Sequence, residues 1–201
     1  MKKWVMPNVK WSISQALCAV ITLLFMADMA HAAVAFRAAS TNSQSSATVG
    51  GSITVNKPTG TVSGDVMLAS IAMVPNTPTL TAPAGWILVQ SINQPTGNTS
   101  RLYTFYKVAS TSEPASYAWT FSNAHSGIVV GVGSFTGVDT TSPIGASAGQ
   151  TTARATTHTA PSVTTAVAGD MLVTIHEFSS PRTWNPPAGM TEMMDRRSTT
   201  G

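Results

Sequence analysis

His125, His158 and His176 are the imidazoles past position 32 that could ligate a metal or move a proton. A zinc site needs about three converging ligands, and Glu177 beside His176 would be a further candidate. The intervals of 33 and 18 residues between these histidines match no ligand motif. The run His176-Glu177-Phe178-Ser179-Ser180 opens like the helix of a zinc protease, but Ser180 stands where the second histidine belongs. Glycoside hydrolysis requires a carboxylate pair, for which Glu113, Asp139, Glu177, Asp65 and Asp170 are available. Asp65 and Asp170 each follow a glycine at a turn, where an aspartate accepts backbone hydrogen bonds, so architecture accounts for them better than catalysis. Glu113 and Asp139 lie in loops that nothing in the sequence brings together. A nucleophile elbow needs Gly-x-Ser-x-Gly, and Gly133 directly before Ser134 breaks that spacing. Gly131 and Gly133 are followed by Thr136 where a dinucleotide loop has its last glycine, and no helix follows. The expectation is a chain with no catalytic residue, no metal and no cofactor.

Aromatic rings offer a different chemistry. An exposed ring stacks on the apolar face of a sugar while polar neighbours bond its hydroxyls. Tyr103 and Phe105 lie beside Arg101 and Lys107 on a strand face that could point outward, and Trp86 and Trp184 flank proline-rich loops. These four are the candidate binding residues. Core or corner packing is the competing reading of all four, and the one the sequence favours. Asn98-Thr99-Ser100 has the form of a glycosylation sequon and reads as a turn.

The elements that must position these side chains are strands. Helical periodicity is nearly absent after the first 32 residues; short β-branched and aromatic runs alternate with Gly, Pro, Asn and Ser clusters. Strands are expected near Val34–Ala38, Ser52–Val55, Asp65–Val74, Trp86–Asn93, Ser100–Val108, Tyr117–Phe121, Gly127–Phe135, Met171–Phe178 and Met190–Arg196, with weaker ones near Ala146–Ala153 and His158–Val163. In "YAWTF" the rings of Tyr117, Trp119 and Phe121 share one face, which is therefore core. "GIVVGVGSF" is apolar on both faces, as a central strand would be, and Gly131 and Gly133 leave room for large neighbours or a bulge. Many short strands at regular spacing predict an all-β, two-sheet antiparallel sandwich, of jelly-roll or immunoglobulin-like type.

The first residues are an address. Lys2, Lys3 and Lys10 precede an apolar run, and Ala30-His31-Ala32 fits a small-x-small cleavage site, which predicts a helical signal peptide over 1–32 cut between Ala32 and Ala33. The run is too short to span a membrane, so membrane contact is expected only through the uncleaved leader. Of 11 Lys+Arg and 8 Asp+Glu, the leader removes three lysines and Asp28, which leaves 8 basic against 7 acidic residues. That near balance excludes a phosphate-tracking surface and with it nucleic acid as a partner. The single cysteine, Cys18, lies in the leader, so the exported chain must hold together by its core rather than by disulfides.

One pattern is stated twice. "SGDVMLASIAM" from Ser63 returns as "AGDMLVTIHEF" from Ala168, and each is followed by a Pro-Ala-Gly corner, at Pro83–Gly85 and Pro187–Gly189. The copies stand for either two tandem domains or two matching halves of one sandwich. Because the second stops a dozen residues after its corner, matching halves within one 33–201 domain are the favoured reading.

Together, "GDVMLASIAM", "TAPAGWILVQS", "LYTFYKVASTSEPASYAWTFS", "GSFTGVDTTSPIG" and "PAGMTEMMDRRS" resemble a group of secreted bacterial and phage-borne β-sandwich modules of surface and adhesin-like proteins. The resemblance runs from about Val34 to the C-terminus. It implies a non-catalytic module and supplies no catalytic residues. Such modules continue past the second corner to a closing strand, so the resemblance also implies a chain lacking its closing strands. The expected function is extracellular display, adhesion or ligand binding at the cell surface, with a glycan or a surface protein as partner. The alternatives are a carbohydrate-binding or polysaccharide-active module and a structural part of a phage or surface appendage.

Overall fold

A computed structural model describes residues 33–96, 99–153, 155–178 and 184–198. The expected leader, with Ala32 of its cleavage site, and Asn98 of the sequon lie outside the described residues; Ala33 is the first of them. The chain is all-β, with no helix among the described residues. Eight strands follow in order: β1 (Ala35–Gln44), β2 (Gly51–Asn56), β3 (Val66–Val74), β4 (Leu80–Thr81), β5 (Ile87–Gln94), β6 (Ser100–Val108), β7 (Ser116–Phe121) and β8 (Gly127–Thr136). They make two antiparallel sheets, one of five strands ordered β1-β8-β3-β6-β5 and one of three ordered β2-β7-β4.

Period-two alternation sets which face is which. In β3 Met67, Ala69, Ile71 and Met73 are fully buried, while Leu68, Ser70 and Ala72 between them are only half-buried. Ile128, Val130 and Val132 of β8 are equally enclosed, and Ile53, Val55, Tyr117, Trp119 and Phe121 answer them from the small sheet. One apolar cluster therefore takes its residues from both sheets. As expected, β8 is central, between β1 and β3. The room beside Gly131 is taken by the Met194 sulfur, which lies where a side chain would project, and that beside Gly133 by the Phe135 ring and the Met194 methyl.

The face of β6 that carries Tyr103 and Phe105 points inward, not outward. Tyr103 is 8% and Phe105 6% exposed, and both belong to the core cluster. The charges flanking them sit at the two ends of the strand, where the core opens. Arg101 bonds the Tyr103 hydroxyl at 3.1 Å, and Lys107 pairs with Glu113 at 3.0 Å.

The repeat is built differently from the expected matching halves. All eight strands come from 35–136, so both sheets form without the second copy. Its turns are nevertheless made. Gly64 and Gly169 have φ of 88° and 89°, Gly85 and Gly189 have 82° and 86°, and the Trp86 and Met190 amides bond back to Pro83 and Pro187. In the first copy these turns launch β3 and β5. In the second, the strands expected at Met171–Phe178 and Met190–Arg196 are absent, as are those at Ala146–Ala153 and His158–Val163 among their described residues. A strand is defined by its neighbour, and β3 has two, β6 and β8. The second copy repeats the Gly-Asp turn and an apolar run after it, but among the described residues no segment pairs with that run.

Candidate functional site

Most side chains with chemical potential are committed to structure. Arg37 forks onto Asp65, with Nε to Oδ2 at 2.7 Å and Nη2 to Oδ1 at 3.0 Å, and the Val62 amide donates to the same carboxylate at 2.9 Å. Burial alone would raise the Asp65 pKa; these donors outweigh it and hold it below the usual range. The turn aspartate thus bonds backbone, as its position after Gly64 predicts. Glu113 receives the Ser110 amide at 2.9 Å, the Tyr117 hydroxyl at 2.8 Å and the Lys107 ammonium at 3.0 Å. Its burial is likewise overcome, and its pKa is held at about 2. Asp139 accepts from the Thr141 amide in an exposed loop turn. No hydrogen bond or ion pair joins it to Glu113 among the described residues.

His125 is 4% exposed, edge-on to Phe121 at 4.6 Å, and neither ring nitrogen has a hydrogen-bond partner among the described residues. Trp86 packs against Tyr117 at 5.1 Å and Trp119 at 5.3 Å. Of the four candidate binding rings, Trp86, Tyr103 and Phe105 are therefore interior, and none offers a face to a sugar. Corner packing explains Trp86, since the Pro-Ala-Gly turn before it aims its ring into the core.

Trp184 has a different setting. It stacks on His176 at 4.2 Å between centroids with planes 21° apart, and Phe178 and His158 approach it at 6.1 Å. This cluster borders a cavity of about 1440 Å³. The outer faces of β3, β6 and β5 make one wall, through Leu68, Leu102, Thr104 and Ile92; residues from 143–153, 155–165 and 170–178 make the other. Gln90 reaches across to the Ala148 carbonyl at 3.3 Å, and Ser100 donates to Glu177 Oε2 at 2.8 Å. Burial raises the Glu177 pKa more than that one bond lowers it. Burial and the neighbouring His158 both lower that of His176. His158 is held at both nitrogens: Nε2 donates to the Ala155 carbonyl, so Nδ1 accepts from the Thr152 hydroxyl.

Sequence spacing dismissed His158 and His176 as unrelated, yet both lie against one indole. The coil that joins them folds back over the sheet, and no local motif records such a return. Even so, no three His, Cys, Asp or Glu side chains gather as a metal site among the described residues. Among the described residues the cavity lining carries two carboxylates, Asp170 and Glu177, and no lysine or arginine. Chemically it is a largely apolar slot, dotted with hydroxyls and amides, and suited to a neutral or basic guest. No protein-family model, curated protein or solved structure matches the chain.

Proposed function

We propose that this protein is a non-catalytic extracellular β-sandwich module, of jelly-roll or immunoglobulin-like build, that displays a binding surface for adhesion or ligand capture. The observation carrying the reading is the slot of about 1440 Å³ over the outer sheet face, with the Trp184–His176 stack at its border. Support comes also from the fate of the other polar groups. Asp65 and Glu113 spend their charge on Arg37 and Lys107, so these two carboxylates serve rigidity. Export rests on the leader sequence, and N-terminal sequencing of the secreted protein should begin at Ala33.

A glycan array read alongside quenching of Trp184 fluorescence tests the binding reading. A ligand that quenches the native chain and fails to bind Trp184→Ala supports it; an array without hits and an indole indifferent to every probe counts against it. The second reading, a carbohydrate-binding module, is favoured by Trp184 alone among the four rings, because it lines the slot among threonine hydroxyls. In that case hits fall on glycans of one linkage type.

A further inference from the structure

The slot changes character along its length. At one end Ser100 opens β6, paired with Gln94, and donates to Glu177 Oε2 at 2.8 Å. Glu177 Oε1 makes no hydrogen bond among the described residues, and neither does either ring nitrogen of His176. Trp184, stacked on His176, borders this same end. At the other end the sheet wall is Leu68, Val66 and Phe135, hydrocarbon throughout. Register fixes how far apart the two ends are. Val66 stands between Val108 and Phe135, and Val108 closes the strand that Ser100 opens. Nine residues of β6 separate a polar end from an apolar one, a distance of about 26 Å at the rise of a strand. Between them come Leu102 with Ile92, then Thr104 with Gln90, whose amide is tied to the Ala148 carbonyl. The facing wall repeats the trend, with Met171, Val173 and Ile175 leading to His176 and Glu177. Asp170, at the start of that run, is exposed to solvent beside Gly145.

A guest that was sugar throughout would set hydroxyls against Leu68, Val66 and Phe135, which offer them no partner. A plain hydrocarbon would cover Glu177 and His176 and leave their polar atoms unpaired. A guest of two characters satisfies both ends. We infer that the slot holds one amphiphile per chain, its polyhydroxyl head at Ser100, Glu177 and Trp184 and its single alkyl chain laid along the outer sheet face toward Val66 and Phe135. This deepens the binding reading above and rests on it. Head hydroxyls donate to Glu177 Oε1 and bond the His176 ring, and the apolar face of the head packs on Trp184. A fatty acid is the wrong guest, because its carboxylate would share this end with that of Glu177. Size agrees. At about 1440 Å³ the slot exceeds the roughly 300–1,000 Å³ of ordinary small-molecule sites, so head and chain fit together. Sugar and glycerol heads share this chemistry, and the test separates them.

The test titrates the chain with maltose and with octyl, decyl and dodecyl maltoside, each below its micelle concentration. The expected result is saturation at one molecule per chain, with affinity rising about tenfold for every two carbons added and a change in Trp184 emission that is lost in Trp184→Phe. Monodecanoin bound as tightly as decyl maltoside would name a glycerolipid as the source; weaker binding would name a glycolipid. Decanoate should bind about tenfold or more weakly than decyl maltoside, and Glu177→Gln should narrow that gap. Leu102→Gln should flatten the chain-length series while the near-ultraviolet signal of Trp86 and Trp119 persists; if that variant does not fold, the series on the native chain decides alone. A flat series on the native chain, decanoate bound as tightly as decyl maltoside, or uptake without saturation would overturn the proposal. Maltose bound as tightly as its alkyl derivatives ends this inference and leaves the binding reading standing. A chain that takes up no maltoside and scores on no glycan loses both.

Discussion

At the scale of single residues, the stakes lie in buried polar groups. Glu113 gains three donors on folding, and its pKa drops from 4.5 to about 2. A carboxylate with a depressed folded pKa contributes stability that is complete above its unfolded value and drains as pH falls through the folded one. Glu113→Gln should therefore cost about 2 kcal/mol at pH 7 in urea titrations. That difference should shrink steadily between about pH 4.5 and pH 2. His125 works in the opposite sense of charge. Burial lowers its pKa below 6.5, so the folded state prefers the neutral ring. Its cost is absent above pH 6.5 and grows as pH falls below it, because the unfolded state then takes up the proton first. His125→Leu should flatten the loss of thermal stability between pH 7 and pH 5; an unchanged slope would place that loss elsewhere.

At the scale of elements, the two Gly-Asp turns form a natural control. Gly64 and Gly169 have the same left-handed φ, and a Cβ added at either meets nothing within 4 Å. The local strain of Gly→Ala is thus alike at both, about 1 kcal/mol. The consequences differ because Gly64 launches β3, which is paired on both sides, and Gly169 launches a run with no ladder. Gly64→Ala should lower global stability by about that amount, while Gly169→Ala should leave it within about 0.5 kcal/mol. Chemical denaturation of the two variants decides this directly. A large effect at Gly169 would mean that the second copy takes part in the cooperative fold. At Gly85 strain and crowding add, since a Cβ would lie 3.1 Å from Lys107 Cε.

At the scale of the whole molecule, all eight strands and the shared core lie within 35–136. A chain cut after Val138 should keep its β signature and the near-ultraviolet signal of the buried Trp86 and Trp119, and unfold cooperatively. The outer faces of β3, β6 and β5 lose their cover in that variant, so its solubility should fall even as its fold persists. Limited proteolysis of the whole chain should cut first within 146–168, where no described residue lies in a backbone ladder. Loss of the β signature on truncation would show that the second copy supports the sheets.

What the residues decided alone was local. Alternation in "YAWTF" and the doubly apolar "GIVVGVGSF" marked β7 and β8, and the glycine–aspartate and proline–glycine phrases marked turns that form in both copies. These signals are legible because a pleat and a left-handed turn are properties of a few adjacent residues. Only the tertiary structure decided that Tyr103 and Phe105 face inward, that His158 and His176 meet at Trp184, and that one copy of a repeated phrase is a strand while the other is not. Each of those depends on which distant segment lies alongside, and a sequence carries the strand-forming half of a pair without naming its neighbour.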